Sequence, residues 1–238
     1  MVLFGIDTAL LAAKAFTLAA LTVCPVNDPP RVDVHFTAEK PYWNTSYGST
    51  ALRKSMQGDK ESTVQTDKRE KLLGVTTSKL DSKFHVSFRT LTDRSGNQCL
   101  YVDRATFIIS YYPAIFIAKE VKGLPCKEKV VHDHENQHVA IDLKTIQEYL
   151  PRIKMDMLLY LQTLGYQGFG PYNQSEAPAN GERLMKQIIA ASLPMVEKLR
   201  ESRRQRQGII DTSDNYMRES EKCPEEQNML RHRLHSAQ

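Results

Sequence analysis

The chain carries at residues 130–140 the stretch VVHDHENQHVA, which decides how the rest of the sequence is interpreted. It contains the pattern His-Glu-x-x-His, formed by His134, Glu135 and His138. On an α-helix, residues four positions apart lie one turn apart on the same face, so both imidazoles can reach one ion while Glu135 flanks it. Neutral imidazole binds zinc well, and three protein ligands leave one position for water. The pattern therefore predicts a Zn²⁺ site with Glu135 as the general base.

Two amphipathic stripes follow the motif along the chain. Residues that face inward recur at steps of three and four from 131 to 164, and a weaker stripe, interrupted by polar residues, runs from 185 to 217. The segment 165–179 separates them with three glycines and two prolines. Two long helices joined by such a loop are expected to form an antiparallel hairpin.

The hairpin gives a register between its two helices. With its midpoint near residues 172–173, each residue before the midpoint faces the residue equally far after it. Pro151 then faces Pro194, and two prolines at the same level allow both helices to bend together.

This register places Asp211 opposite His134 and makes it the candidate third ligand, because a carboxylate oxygen is an acceptable ligand for zinc. An ordinary surface carboxylate is the alternative interpretation of Asp211, and Asp214 lies one turn further along. Asp142 also follows His138 by one turn. A straight helix rises about 1.5 Å per residue, so Asp142 lies about 12 Å along the axis from His134, too far for both to bind one ion.

The four cysteines favour an oxidising compartment with one or two disulfides. The register predicts a disulfide between Cys126 and Cys223 at the open end of the hairpin. Cys99 is left to pair with Cys24 or to stay reduced.

The first residues, 1–24, are typical of an export signal. Lys14 precedes an apolar run over residues 15–23 that is too short to span a bilayer. The run ends at Cys24 in a context that loosely resembles a bacterial lipoprotein box, so a lipid anchor there is the alternative. We expect a periplasmic or secreted protein without a transmembrane span.

Alternating apolar and polar residues predict several short strands, at 31–36, 72–77, 83–91, 98–112 and 114–117. Short turns between neighbouring strands, including Asp93–Asn97, predict a mostly antiparallel sheet. The predicted fold class is α+β: a small, mostly antiparallel sheet packed on the motif helix, followed by the long antiparallel helical hairpin. Together with the His-Glu-x-x-His motif, this arrangement resembles a minimal zincin.

Composition limits the classes of function. With 238 residues and 41% hydrophobic content, the chain can bury a core without help from a metal. We expect one domain at residues 31–223 and a polar tail at 224–238. Much of the net charge of +4 lies in an arginine cluster at 200–206, with no aromatic residues between the arginines. Nucleic-acid binding is therefore not expected.

The strand order, Cys99 ahead of a sheet strand, the motif helix, the hairpin and the segment IDTSDNY at 210–216 resemble the bacterial predicted secreted zinc-dependent proteases. The resemblance spans roughly residues 31–223. In that family the last segment carries an aspartate followed shortly by a threonine and a His-Gly pair.

Asp211 matches the family's aspartate, while Asp214, Tyr216 and Met217 stand where the threonine, histidine and glycine would be. The third ligand therefore stays open between Asp211, Asp214 and another residue. Tyr216 is either a donor to a developing oxyanion or a packing residue.

The motif and the resemblance together predict an exported zinc-dependent peptidase that acts on a peptide or protein substrate. His134, His138 and Asp211 would bind Zn²⁺, and Glu135 would act as general base. One alternative is a metal-binding module without turnover that uses His132 as well. The other is an envelope-interaction protein that docks through the basic helical hairpin.

Overall fold

The computed structural model describes residues 23–56 and 72–236, so the predicted export signal lies outside the described residues except for Val23 and Cys24. The elements of the described chain are, in order, β1 (Arg31–Ala38), β2 (Tyr42–Asn44), α1 (Ser49–Met56), β3 (Gly74–Thr92), β4 (Gln98–Ile117), a short 3-10 turn (Lys119–Val121), α2 (Pro125–Thr163), β5 (Phe169–Tyr172), α3 (Ala177–Gln207), α4 (Ser213–Glu221) and α5 (Pro224–Ser236).

The sheet is built around β4. β3 pairs with β4 along one edge, and β5, β1 and β2 pair in series along the other edge. β1 and β2 run parallel to β4, while β3 and β5 run antiparallel to it. The prediction of a mostly antiparallel sheet is therefore wrong. Along the chain, β3 lies between β4 and the two earlier strands β1 and β2. Neither β1 nor β2 is therefore joined to β4 by a short turn, which would force an antiparallel pairing.

β3 and β4 are each longer than the strands predicted from the sequence. They contain 19 and 20 residues, and each replaces two predicted strands. Along β4, β1 pairs as far as Tyr111 and β2 pairs from Ala114 onward, so the predicted break at Pro113 falls in the gap between the two pairings. The missing N–H of Pro113 therefore interrupts no pairing along that edge.

One face of the sheet packs on α2 and α3 to form the core. Alternate side chains of β4 point to this face, as the two-residue period of a strand requires. Most of the deeply buried side chains of the core come from β4, α2 and α3, and they include Phe107, Ile109, Tyr111, Ile115, Ile146, Ile153, Met157, Ile188 and Leu199.

α2 and α3 pack against each other in opposite directions. The side chain of His138 meets Gln207, and that of Asp142 meets Arg203, which are the pairs that the predicted register assigns. The second helix was expected to continue to Met217, but α3 ends at Gln207. Gly208, a poor helix former, follows at once.

A new helix then begins after Thr212, whose side chain accepts a hydrogen bond from the N–H of Asn215 at 3.3 Å. Threonine is a favourable residue at the start of a helix. Asp211 consequently lies in an irregular segment between α3 and α4 rather than on a helix face.

The C-terminal segment, expected as a polar tail, contains α5. Leu230 of α5 is buried, and the Glu226 carboxylate accepts hydrogen bonds from the N–H groups of Cys126 and Lys127 at 3.1 and 2.9 Å. The first N–H groups of a helix have no partner within the helix, and a carboxylate at that end is stabilising. α5 therefore holds the start of α2, the helix that carries the His-Glu-x-x-His motif.

The described part of the chain contains two disulfides. The predicted bond between Cys126 and Cys223 is confirmed, and Cys24 pairs with Cys99. Disulfides of this kind are typical of proteins in oxidising compartments. A disulfide-bonded Cys24 has no thiol left for a lipid. Within the described ranges, no helix combines the length and the apolar character that crossing a membrane requires.

A buried ion pair joins α2, α3 and β3. Both carboxylate oxygens of Asp142 accept from Arg203, at 3.0 and 2.5 Å, and the hydroxyl groups of Ser78 and Tyr111 donate to Oδ2 at 3.2 and 3.0 Å. Both charged side chains are almost entirely shielded from solvent. Removing one partner of such a pair leaves a buried charge without compensation.

We therefore expect Asp142→Ala to lower the free energy of unfolding by about 3–5 kcal/mol, measured by urea denaturation. Asp81→Ala, which breaks the exposed ion pair with Lys79, is the control and should change it little. Equal effects of the two substitutions would contradict the structural role assigned to Asp142.

Candidate metal centre

Three donor atoms from distant parts of the chain converge at one point. Nε2 of His134 lies 3.2 Å from Nε2 of His138 and 3.3 Å from Oδ1 of Asp211, and Nε2 of His138 lies 3.0 Å from the same oxygen. All three side chains are shielded from solvent. Among the described residues they form a group of the size and type that can hold a metal ion. Their role as ligands stays a prediction.

The dimensions of this triangle match a zinc site. Nitrogen and oxygen ligands lie about 2.0–2.1 Å from zinc in a tetrahedral arrangement, so neighbouring ligand atoms are about 3.3 Å apart. The three observed separations of 3.0–3.3 Å are close to that edge. Three protein ligands leave the fourth position open, which is the pattern of catalytic rather than structural zinc sites.

The outer nitrogen of His138 is held by Gln207. Its Nδ1 contacts Oε1 of Gln207, whose amide nitrogen donates to the carbonyl of His138 at 2.9 Å and to Oδ1 of Asp142 at 2.7 Å. Because the amide nitrogen already has two acceptors, its oxygen faces the imidazole and accepts the Nδ1 proton. This assignment leaves the lone pair of Nε2 directed at the centre of the triangle. Asp142 thus acts on the site through Gln207 and is not one of the three donors.

The outer nitrogen of His134 faces a different group, the Glu219 carboxylate of α4. Nδ1 lies 3.1 Å from Oε2 of Glu219, but this buried nitrogen forms no hydrogen bond of regular geometry among the described residues. A carboxylate beside the outer nitrogen of a metal-binding histidine fixes the tautomer and raises the basicity of the ligand. The sequence did not predict a role for Glu219, because the periodicity indicated one continuous helix where α3 and α4 are separate.

The charges around the triangle favour a cation. Burial lowers the pKa of His138, but the hydrogen bond to Asp211 and the nearby carboxylates outweigh it and raise that pKa to about 9. Burial raises the pKa of Asp211, but the two imidazoles and Tyr216 hold it well below its ordinary value. A proton therefore compensates the cluster when no metal is bound. A divalent cation at the centre would take over that role.

Glu135 lies on the same helix and is buried. The hydroxyl of Thr76 in β3 donates to Oε2 of Glu135 at 2.8 Å, and burial raises the pKa of the carboxyl group. β3 passes so close that a Cβ atom on Gly74 would overlap Oε1 of Glu135 and Val131. The glycine therefore permits the strand to contact the motif helix at this level. Neither Thr76 nor Gly74 was singled out from the sequence, since their proximity to Glu135 depends on how β3 packs on α2.

Tyr216 of α4 contacts the candidate ligands directly. Its hydroxyl donates to Oδ1 of Asp211 at 2.8 Å, and its ring centroid lies 5.1 Å from that of His134. Burial and the Asp211 carboxylate raise the pKa of Tyr216, so it remains a proton donor. Of the other sequence candidates, Asp214 is exposed on the first turn of α4, and His132 stacks on Trp43 at 4.0 Å between ring centroids.

Comparisons of the chain with models of protein families, with curated proteins and with solved structures give no match. They do not identify a zincin-like protease family. The resemblance to secreted zinc-dependent proteases therefore stays a prediction, and the case for a metal centre rests on the geometry above.

We expect Glu219→Gln to lower the affinity for zinc by about 10- to 100-fold, because the carboxylate that orients His134 is lost while all three donors remain. Competition with a chelating dye measures this affinity. Glu221→Gln, an exposed position on the same helix, is the control and should match the wild type. An unchanged affinity in Glu219→Gln would show that Glu219 does not orient His134.

Proposed function

We propose that this protein is a zinc-dependent peptidase. The observation that supports the proposal most strongly is the triangle formed by His134, His138 and Asp211, with donor atoms 3.0–3.3 Å apart, beside a buried glutamate on the helix that supplies two of them. A zinc hydrolase requires three ligands, an open position and a carboxylate that exchanges protons with water.

In this proposal His134, His138 and Asp211 hold Zn²⁺. When bound, zinc supplies Lewis-acid polarisation of a carbonyl group and lowers the pKa of water. Glu135 accepts a proton from the attacking water and passes it to the leaving amine. Its buried position and raised pKa suit a group that must accept and release a proton.

Two hydroxyl groups position this machinery. Thr76 donates to the Glu135 carboxylate and holds it in one orientation. Tyr216 donates to the Asp211 oxygen that faces both imidazoles, which fixes the direction of that oxygen and spreads its negative charge. Thr76 thus orients the proposed base and Tyr216 orients a proposed metal ligand, and neither hydroxyl group needs to contact a substrate for this role.

β3 offers a way to hold an extended peptide. In the described ranges β3 pairs only with β4, so the backbone groups of its other edge have no strand partner. An extended segment can add to such an edge through main-chain hydrogen bonds. Thr76 ties this strand to Glu135, so a peptide bound there would run close to the proposed base. This step is an analogy with zinc peptidases in general.

The two disulfides support an extracytoplasmic location. We propose a periplasmic or secreted enzyme, in keeping with the export signal predicted at residues 1–24.

A metal-binding protein without turnover is the second candidate. The same three donors would hold the ion in that case, and a set of two histidines and one carboxylate also suits Fe(II). The two candidates differ in what they require of Glu135. Only a hydrolase needs its carboxylate, while metal capture needs the three donors alone.

We expect Glu135→Gln to retain one zinc ion per chain and to lose peptidase activity by a factor of about 10² to 10⁴. Metal content measured by mass spectrometry, together with cleavage of denatured casein, gives both readouts. Glu128→Gln, an exposed position near the start of α2, is the matched control and should keep both properties.

Full zinc content with equal activity in Glu135→Gln and the wild type would contradict the assignment of Glu135. A wild-type protein that binds zinc but cleaves nothing would favour metal binding without turnover. A protein that retains no zinc would end the proposal.

A further inference from the structure

A large cleft opens directly beside the candidate metal centre. It has a volume of about 680 Å³ and lies between the first turns of α2, the helices α4 and α5, and the start of β3. His134 and Glu135 form part of its wall. Residues spaced by three and four along α2 and along α5 line it, so the two helices face each other across the space.

Most of the surface that lines the cleft is apolar, although polar and charged side chains also form part of its wall. The apolar side chains come from α2, α4, α5 and the segment just before β3, and they include Leu72, Val130, Val131, Met217, Leu230 and Leu234. A cavity of about 150 Å³ already holds a benzene molecule, so the cleft has room for a large side chain and adjoining backbone. Its volume is within the range of about 300–1,000 Å³ that is usual for ligand sites.

The buried charged groups of the cleft are already engaged. Lys127 donates to the carbonyl of Ser220 at 2.7 Å, and Glu219 lies against His134. His134 and Glu135 belong to the candidate site, and the other charged residues of the lining, Glu221 and Arg231, are exposed at its rim. A charged side chain in the buried part of the cleft would therefore lose its hydration without reaching a buried counter-charge that is not already engaged.

One buried oxygen atom in the wall of the cleft is free to accept a hydrogen bond from a ligand. Oε1 of Gln227 is buried and has no hydrogen-bond partner among the described residues. Buried acceptors of this kind are normally satisfied. A backbone N–H group of a bound peptide is a donor that fits such an acceptor.

We propose that this cleft binds a large apolar side chain of the substrate, leucine, methionine or phenylalanine, at a position next to the cleaved bond. Because Glu135 and His134 form part of the cleft wall, a side chain that binds in the cleft belongs to the same peptide on which these residues act. The inference rests on the proposed peptidase function and adds a substrate class to it. The cleft determines which bond is cleaved.

The test uses the zinc-loaded full chain and a proteome-derived peptide library, with cleavage sites read by mass spectrometry. The wild type should prefer leucine, methionine and phenylalanine at one position flanking the cleaved bond by at least about tenfold over alanine, aspartate and lysine. Binding is measured separately with Glu135→Gln protein and a fluorescent peptide. A leucine-to-aspartate change in that peptide should weaken binding by about tenfold or more.

Two substitutions narrow the cleft from different sides. Met217→Trp enters from α4 and Val130→Phe enters from α2, and both positions retain solvent exposure, so the core is left intact. Each should shift the preference towards alanine and glycine by about tenfold. Met229→Trp is the matched control, because Met229 is a similarly exposed methionine on α5 outside the cleft. Zinc content and thermal melting verify that all three variants are folded and loaded.

The outcomes separate the two proposals. No cleavage of any peptide by the zinc-loaded wild type would overturn the peptidase function and this inference with it. Cleavage without an apolar preference, or a cleavage profile that Met217→Trp and Val130→Phe leave unchanged, would overturn the role of the cleft alone. A shift in both variants, absent in Met229→Trp, is the result that the proposal predicts.

Discussion

The central constraint on this structure is the approach of three electron-rich atoms within 3.3 Å of one another, away from solvent. Two imidazole nitrogens and a carboxylate oxygen at such distances repel each other unless a proton or a metal cation lies between them. A proton on His138 compensates the charge in the absence of a metal. Gln207 and Glu219 face the outer nitrogens and so direct the inner lone pairs towards each other. The arrangement is one that a divalent cation would complete.

The fold brings these atoms together by packing the segment that contains Asp211 and α4 against the motif helix α2. Asp211, Tyr216 and Glu219 all come from the short stretch that follows the end of α3. The disulfide between Cys126 and Cys223 joins the end of that stretch to the start of α2. The Glu226 carboxylate of α5 accepts hydrogen bonds from the same end of α2. The segment that carries the candidate third ligand is therefore joined to the start of the motif helix by a covalent bond and, through α5, by hydrogen bonds.

The parts of the site set by local periodicity could be predicted, and the parts set by long-range packing could not. The spacing of His134 and His138 follows from the helical turn, and the hairpin register placed Asp211 opposite them because α2 and α3 are regular as far as Gln207. Glu219 was missed because the register assumed one continuous helix through Gly208. The parallel pairing of β1 with β4 was missed because it depends on no local turn. Thr76 and Gly74 approach Glu135 only through the packing of β3 on α2.

A crystal structure of the zinc-loaded protein, with anomalous data collected on both sides of the zinc absorption edge, tests whether the three donor atoms hold the ion. We expect one anomalous peak per chain, about 2.0–2.1 Å from Nε2 of His134, Nε2 of His138 and Oδ1 of Asp211. A peak at another place in the chain, or none at these three atoms, would contradict it.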